Sequence, residues 1–365
     1  MNIPINDSTD RADTPVPAYH AQELESLAIA LLAKAGLPAS MAAVVAKTLI
    51  EGDLLGHDTH GLALLPGYLK ELQSGSMQSQ GSHVVISDKP AVAVWDGNRL
   101  PGPWLIEQGL DMLIPRARAL GMASLAIRRS HHIACLAVYL MRAAKEGFLM
   151  VLASSDANSA SVAPYGGTRA VFTPNPIAIG YPCSSGDVLI DISGSITTNG
   201  MCNRKAAAGQ TFPENWLMDA QGNPSDDPQV LNQDPAGTIL PIGGLTYGHK
   251  GYGLALMVEA LTGGLAGFGR ADPQQGWGAT VHITLYDIES FSGESNFLKQ
   301  MDEIASQCLN NPPRAGVKAV RLPGQGGLAK REDQLKSGVR LHPAIAIGLA
   351  SFCEQYGQRW PQPIA

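Results

Sequence analysis

From His20 onward apolar residues fall at helical spacing, with Leu24, Leu27, Ala28, Leu31 and Leu32 on one stripe, and Gly36 followed by Pro38 supplies the stop. The same spacing predicts a second helix from about Ser40 to Leu55 and a third from about Gly61 to Leu72. "HVVIS" (83–87) and "AVAVW" (91–95) are β-rich and precede a turn at Asp96-Gly97-Asn98 and a helix over roughly Trp104 to Leu120. Strand and helix then alternate. "MASLAI" (122–127) is a strand, "HIACLAVYLMRAAKEG" a helix and "FLMVLAS" (148–154) a strand, with the polar "RRSHH" at the first junction. "PIAIGYP" and "DVLIDIS" read as further buried strands, and "NWLMDAQGNPSDDPQVLN" as an aperiodic excursion over the surface. "GHKGYGLALMVEALTGGLAGFG" is a glycine-rich helix, followed by the strand "ATVHITLYDI", a helix around Glu294 to Leu309 and a closing helix near Pro343 to Tyr356. No internal repeat interrupts this order, which is that of an α/β protein with a helical N-terminal part.

Composition narrows the function classes. The 365 residues are 45% hydrophobic and 16% charged with a net charge of -6, so the basic excess needed for nucleic acid or an anionic membrane is missing and a small-molecule ligand is expected. Five scattered cysteines without a Cys-x-x-Cys pair suggest neither a disulfide framework nor a structural zinc site. The start "MNIPINDSTDRADTPVP" lacks a signal-peptide pattern and no apolar run reaches membrane-spanning length, so a cytoplasmic protein with a loose arm over residues 1–18 is expected.

Candidate chemistry gathers at junctions, because ligands of α/β proteins collect at strand ends and helix N-termini. "GHDTHG" (56–61) admits three readings. His57 and His60, with His131 and His132, form a possible metal set, although no matching carboxylate completes it. Both histidines also suit a polar helix end. In the third reading the hydroxyl of Thr59 orients His60 as a proton donor to a reduced carbonyl or imine. Lys250 in "GHKGYG" is placed to reach a phosphate, while Gly251 and Gly253 also suit close helix packing. No Gly-x-Gly-x-x-Gly follows a strand, so a dinucleotide would need a fold other than Rossmann.

Seven motifs in order, over about residues 20–350, resemble the malate/L-lactate dehydrogenase type-2 (sulfolactate dehydrogenase-like) family, most closely its Δ1-piperideine-2-carboxylate/Δ1-pyrroline-2-carboxylate reductases. They are "HDTHGLALLPGY", "RSHHIA", "NSASVAPYGG", "TPNPIAIGYPC", "LIDISGS", "GHKGYGLALMVEALTGG" and "RLPGQ". The resemblance implies a non-Rossmann fold with a mixed-sheet nucleotide domain, an NADPH or NADH cofactor, no metal, and a homodimer with the active site near the subunit contact. It divides the chain into a helical part over 19–80 that contributes the catalytic histidine, a nucleotide-binding domain over 81–310, and a segment over 311–365 packing back on the N-terminal helices. It makes His60 the proton donor and Thr59 its relay hydroxyl, with His57 structural. His132, Ile133, Ala134, Cys135, Leu136, Asp191, Ile192, Ser193, His249, Lys250 and Gly324 become nucleotide contacts.

The departures from the family lie in the expected substrate pocket of Leu64, Thr173, Pro174, Asn199, Gly200 and Met201. The family arginine four residues after the catalytic histidine is Leu64 here, the reductases' relay aspartate aligns with Met201, the histidine before it with Asn199, and the threonine before Asn-Pro with Pro174. Losing a bidentate carboxylate contact would cost on the order of 2 to 4 kcal/mol if the substrate kept that group unpaired. The expectation is therefore a reductase of a C=N or C=O bond with an altered substrate, with Arg128, Arg129 or Arg204 as a replacement cation. A 2-oxo acid dehydrogenase and a non-catalytic nucleotide-binding relative are the alternatives.

Overall fold

The computed structural model describes residues 17–273 and 276–364. The expected N-terminal arm lies outside the described residues up to 16, and Ala18, expected to end it, is instead part of a strand. That strand, β1 (Ala18–Tyr19), pairs antiparallel with β12 (Val339–Arg340), so the first described strand meets the last.

The N-terminal helices are α1 (Ala21–Lys34), α2 (Ala39–Leu54) and α3 (Leu65–Ser74), the last entered through a 3-10 turn at Leu62–Leu64. The stripe Leu24, Leu27, Ala28, Leu31 and Leu32 is buried against α2, because residues three and four apart share one helix face. The third helix thus starts later than Gly61, which leaves "GHDTHG" as a loop.

A seven-stranded sheet forms the centre, in the order β2-β3-β4-β11-β5-β6-β7. Its strands are β2 (Val84–Asp88), β3 (Val92–Asp96), β4 (Met122–Ser130), β5 (Phe148–Ser155), β6 (Pro176–Tyr181), β7 (Val188–Ser193) and β11 (Ala279–Asp287). The β3–β4 pair is parallel and the others are antiparallel, so the sheet is mixed as expected. α4 (Gly102–Leu120) packs on β4 and β11, and α5 (Ala137–Lys145) on β5 and β6. β4, α5 and β5 do follow one another, yet the late strand β11 inserts between β4 and β5 and pairs with both. That insertion is invisible locally, since it is made by residues more than a hundred positions downstream.

Three further differences bear on the site. The helix expected from His132 begins only at Ala137, because Ala134 is held at φ +59, outside helical space. α6 (Asn199–Ala208) was not anticipated. The presumed surface excursion contains β8 (Leu217–Met218) and β9 (Pro224–Ser225), which with β10 (Thr238–Ile239) form a small sheet. Phe172, Phe212, Leu217, Val230 and Ile239 give that layer its own core. Two-residue strands are too short to show a period.

Beyond it come α7 (Gly244–Tyr247), α8 (His249–Glu259) with a π-turn at Ala260–Gly264, α9 (Ile288–Phe291) and α10 (Glu294–Leu309). α11 (Gln325–Ser337) packs on α2, and α12 (Pro343–Gln355) on α3. No helix among the described residues is long and apolar enough to cross a membrane.

Candidate active site

The loop after α2 is held at both ends. The last carbonyls of a helix have no intrahelical partner; here the buried amide of Gln334 on α11 donates to Asp53 O at 2.9 Å and Leu54 O at 3.0 Å. The buried Asp53 carboxylate accepts from Leu62 N at 2.7 Å, and a Cβ at Gly61 would lie 2.2 Å from Asp53 Oδ1, so only glycine fits there. Burial pushes Asp53 up to about 8, which makes it a protonated, structural group at neutral pH.

Between these anchors Thr59 and His60 meet, Oγ1 to Nδ1 at 2.9 Å. A hydroxyl can donate or accept, so Thr59 holds the ring in either protonation state. Burial first, then neighbouring His57, pulls His60 down to about 4, with Asp58 opposing. Its ring stacks on His132, centroids 6.0 Å apart. Nδ1 of His132 accepts from Ala134 N at 3.2 Å and lies 2.9 Å from the Tyr68 hydroxyl, so the neutral ring carries its proton on Nε2. Burial keeps His132 well below its ordinary value, as do His60 and His131. The left-handed turn at Ala134 aims the amide that fixes this tautomer. His131 turns inward onto Tyr68 and Trp277, and burial pushes it down to about 3.

α6 closes the other side. Thr198 caps it by accepting from Met201 N at 3.2 Å. A Cβ on Gly200 would stand 3.2 Å from Thr59 Cβ, which puts the start of α6 directly against the dyad. One turn later Arg204 Nη1 donates to Asp58 Oδ2 at 2.9 Å. Leu64 is half-buried and packs on the main core. Arg128 and Arg129 both bind Asp96, at 3.0 and 2.9 Å.

His57 faces a different neighbourhood. Its ring nitrogen, Cys135 Sγ and an Asp191 oxygen all lie within 4.8 Å of one another. They adjoin a cleft of about 310 Å³ walled by Leu55, Leu189, Ile192 and Gly324. Asp191 accepts from Ala137 N at 3.0 Å, capping α5; burial raises its carboxyl and nearby His57 lowers it, and burial also raises the Cys135 thiol. Gly324, at φ +90, lies so close to β7 that a Cβ would stand 2.8 Å from Leu189 Cβ.

The remaining candidates are dispersed. Ile133, Ala134 and Leu136 are buried in the loop before α5. Ser193 donates to Ser195 O at 2.9 Å. Thr173 is buried and bonds Asn175 at 2.7 Å, within a network joining Ser155, Glu259 and Arg270, while Pro174 O accepts from Gly194 N. His249 and Lys250 are exposed at the start of α8, with Tyr165 and Tyr247 as their aromatic neighbours. A Cβ on Gly251 would meet Ile242 N at 2.3 Å, so that glycine is required for packing, whereas Gly253 has open space. The four histidines of the metal reading do not converge: His57 is drawn to Cys135 and Asp191, and His131 to the aromatic wall. Sequence reasoning missed Asp53, Tyr68, Trp277 and Gln334, whose roles come from contacts distant in the chain.

A family description, malate/L-lactate dehydrogenase, matches residues 19–349. The chain belongs to the malate/L-lactate dehydrogenase family. Within this oxidoreductase family it is 34% identical over 340 residues to a (2R)-3-sulfolactate dehydrogenase (NADP(+)) of Chromohalobacter salexigens, covering 91% of this chain and 96% of that one. An L-lactate dehydrogenase of Cupriavidus necator is 31% identical over 326 residues, with 87% and 92% covered. The crystal structure of a Δ1-piperideine-2-carboxylate reductase from Pseudomonas syringae superposes with a TM-score of 0.80 at 26% identity, covering 92% of this chain and 99% of that one.

Proposed function

We propose that this chain is a nicotinamide-dependent oxidoreductase that interconverts a C–OH or C–NH centre and the corresponding C=O or C=N centre of a small molecule, with His60 as the acid–base group. The observation that carries the reading is the Thr59–His60 pair, set between the His132 ring and the start of α6 and neighbouring the His57–Asp191 cleft. That cleft suits part of a nucleotide, because apolar walls accept a flat ring and the Asp191 carboxylate accepts from sugar hydroxyls. His57, Asp191 and Gly324 would hold it there. When bound, the nicotinamide supplies or receives the hydride. Names of relatives that include NADP(+), lactate and a piperideine carboxylate support the cofactor class and leave both a hydroxy acid and a cyclic imine as substrate classes.

The proton path follows from His60. In the free protein its low pKa leaves it neutral at pH 7, a proton acceptor. That state suits oxidation of a hydroxyl: the O–H proton passes to His60 as the C–H bond gives up its hydride and the C=O bond forms. In reduction the protonated ring returns the proton, so an anionic substrate, which favours the imidazolium, assists that direction.

A homodimer belongs to the same proposal. It is supported by the exposed Val84, Val85 and Ile86 on edge strand β2, and sedimentation checks it. The deciding experiment titrates the protein with NADH and NADPH, then assays malate, L-lactate, sulfolactate and Δ1-piperideine-2-carboxylate. Nucleotide binding with turnover of at least one compound is expected; absence of binding to either nucleotide overturns the proposal.

A further inference from the structure

We infer that Arg204 is the anion-holding, specificity-determining residue of this site, taking the carboxylate of a small 2-hydroxy or 2-oxo acid, with Asp58 occupying it in the free protein. This rests on the oxidoreductase reading of the His60 site.

Three observations converge on Arg204. Leu64 offers no charge and packs on the main core, so it contributes no cation to a substrate beside His60. Arg128 and Arg129 are already engaged, both bound to the buried carboxylate of Asp96. Arg204 stands on the helix whose first turn touches Thr59 through Gly200, and four residues along a helix returns to the same face. Its partner Asp58 is the residue immediately before the Thr59–His60 pair, so the guanidinium is tied to the catalytic loop itself.

The Asp58–Arg204 contact has the character of an exchangeable one. Asp58 is 43% exposed and Arg204 22%, so the pair is solvent-screened and weak. A guanidinium has five N–H donors in a planar fork, and a bidentate carboxylate uses two of them. A substrate acid can therefore share or replace Asp58 without leaving a buried charge unpaired. Its negative charge would then lie beside His60 and favour the imidazolium that reduction requires.

The test uses oxalate, a small dicarboxylate, as the probe, with affinity measured by calorimetry on the full chain alone and with saturating NADH. Arg204→Gln is expected to weaken oxalate binding by about tenfold to a hundredfold, as loss of a charged pair does. Arg204→Lys should recover part of it, since it keeps the charge and loses the fork. Asp58→Asn removes the competitor and should tighten binding. A merely structural tie would behave otherwise: Asp58→Asn and Arg204→Gln would then weaken oxalate alike. That result, oxalate affinity unchanged within twofold in Arg204→Gln, or no oxalate binding to the wild type overturns the inference. Failure of NADH to bind the wild type would overturn the oxidoreductase reading, while the nucleotide-free oxalate comparison would still decide the role of Arg204.

Discussion

His57 and His60 lie three residues apart in one loop, yet their surroundings differ in kind. His60 has a hydroxyl on Nδ1, a neutral imidazole against its face and a helix start beside it, and burial holds it unprotonated. His57 meets a thiol and a carboxylate at the edge of an open cleft. Residue type alone makes the two equivalent, and locally only the adjacent Thr59 sets His60 apart. The difference is imposed by four distant segments: the turn at Ala134, the cap of α5 by Asp191, the start of α6, and α11 beneath the loop. Here the loop supplies the imidazoles and the rest of the fold assigns their surroundings.

Breaking the His60 side should have the largest effect. His60→Ala is expected to lower kcat by about 10²- to 10⁴-fold, the usual worth of a positioned acid–base group, in steady-state assays on whichever family substrate is turned over. On the other side, Asp191→Ala should weaken nicotinamide nucleotide binding by about tenfold to a hundredfold, since a buried carboxyl hydrogen-bond acceptor is lost, and should leave kcat at saturation less affected. Gln334→Ala removes the donor that satisfies Asp53 O and Leu54 O. It should cost about 1 to 3 kcal/mol in denaturant unfolding and raise KM through a looser loop.

A further effect concerns pH. For Asp53 the folded value, about 8, lies above the ordinary 3.8, so the folded state keeps a proton that the unfolded chain releases. Its contribution to stability is therefore lost as pH rises from about 4 to 8. Asp53→Asn, which mimics the protonated acid, should become progressively more favourable relative to wild type across that window. His60 and His131 act in the opposite sense: their folded values, about 4 and about 3, lie below 6.5, so acidification below 6.5 destabilises the fold as the unfolded histidines take up protons. Thermal melts of wild type and Asp53→Asn from pH 4 to 8 check both signs.

Much of the framework was legible in the chain. The stripe on α1 and the apolar runs of the central strands report burial directly, and α10 runs from Glu294 to Leu309 as its period predicts. α11 was not legible, because among its residues only Gln334 is fully buried and its surface carries no apolar stripe. Nor was the insertion of β11, since strand neighbours are chosen by long-range pairing. At the site, the Thr59–His60 pair could be anticipated because it is local. The tautomer of His132 and the turning of His57 toward Asp191 could not, for both depend on residues from other elements. Thr173, grouped with the expected substrate pocket, stands in a buried network around Asn175 and Glu259 that also depends on distant elements.

The separation of the two histidines is tested most directly by one titration: nicotinamide nucleotide affinity, followed by tryptophan fluorescence, of the wild type, His57→Ala and His60→Ala. His60→Ala is expected to bind within about twofold of wild type while His57→Ala is weakened about tenfold, through loss of one polar contact to the ligand. Equal weakening by the two substitutions, or weakening by His60→Ala alone, would contradict it.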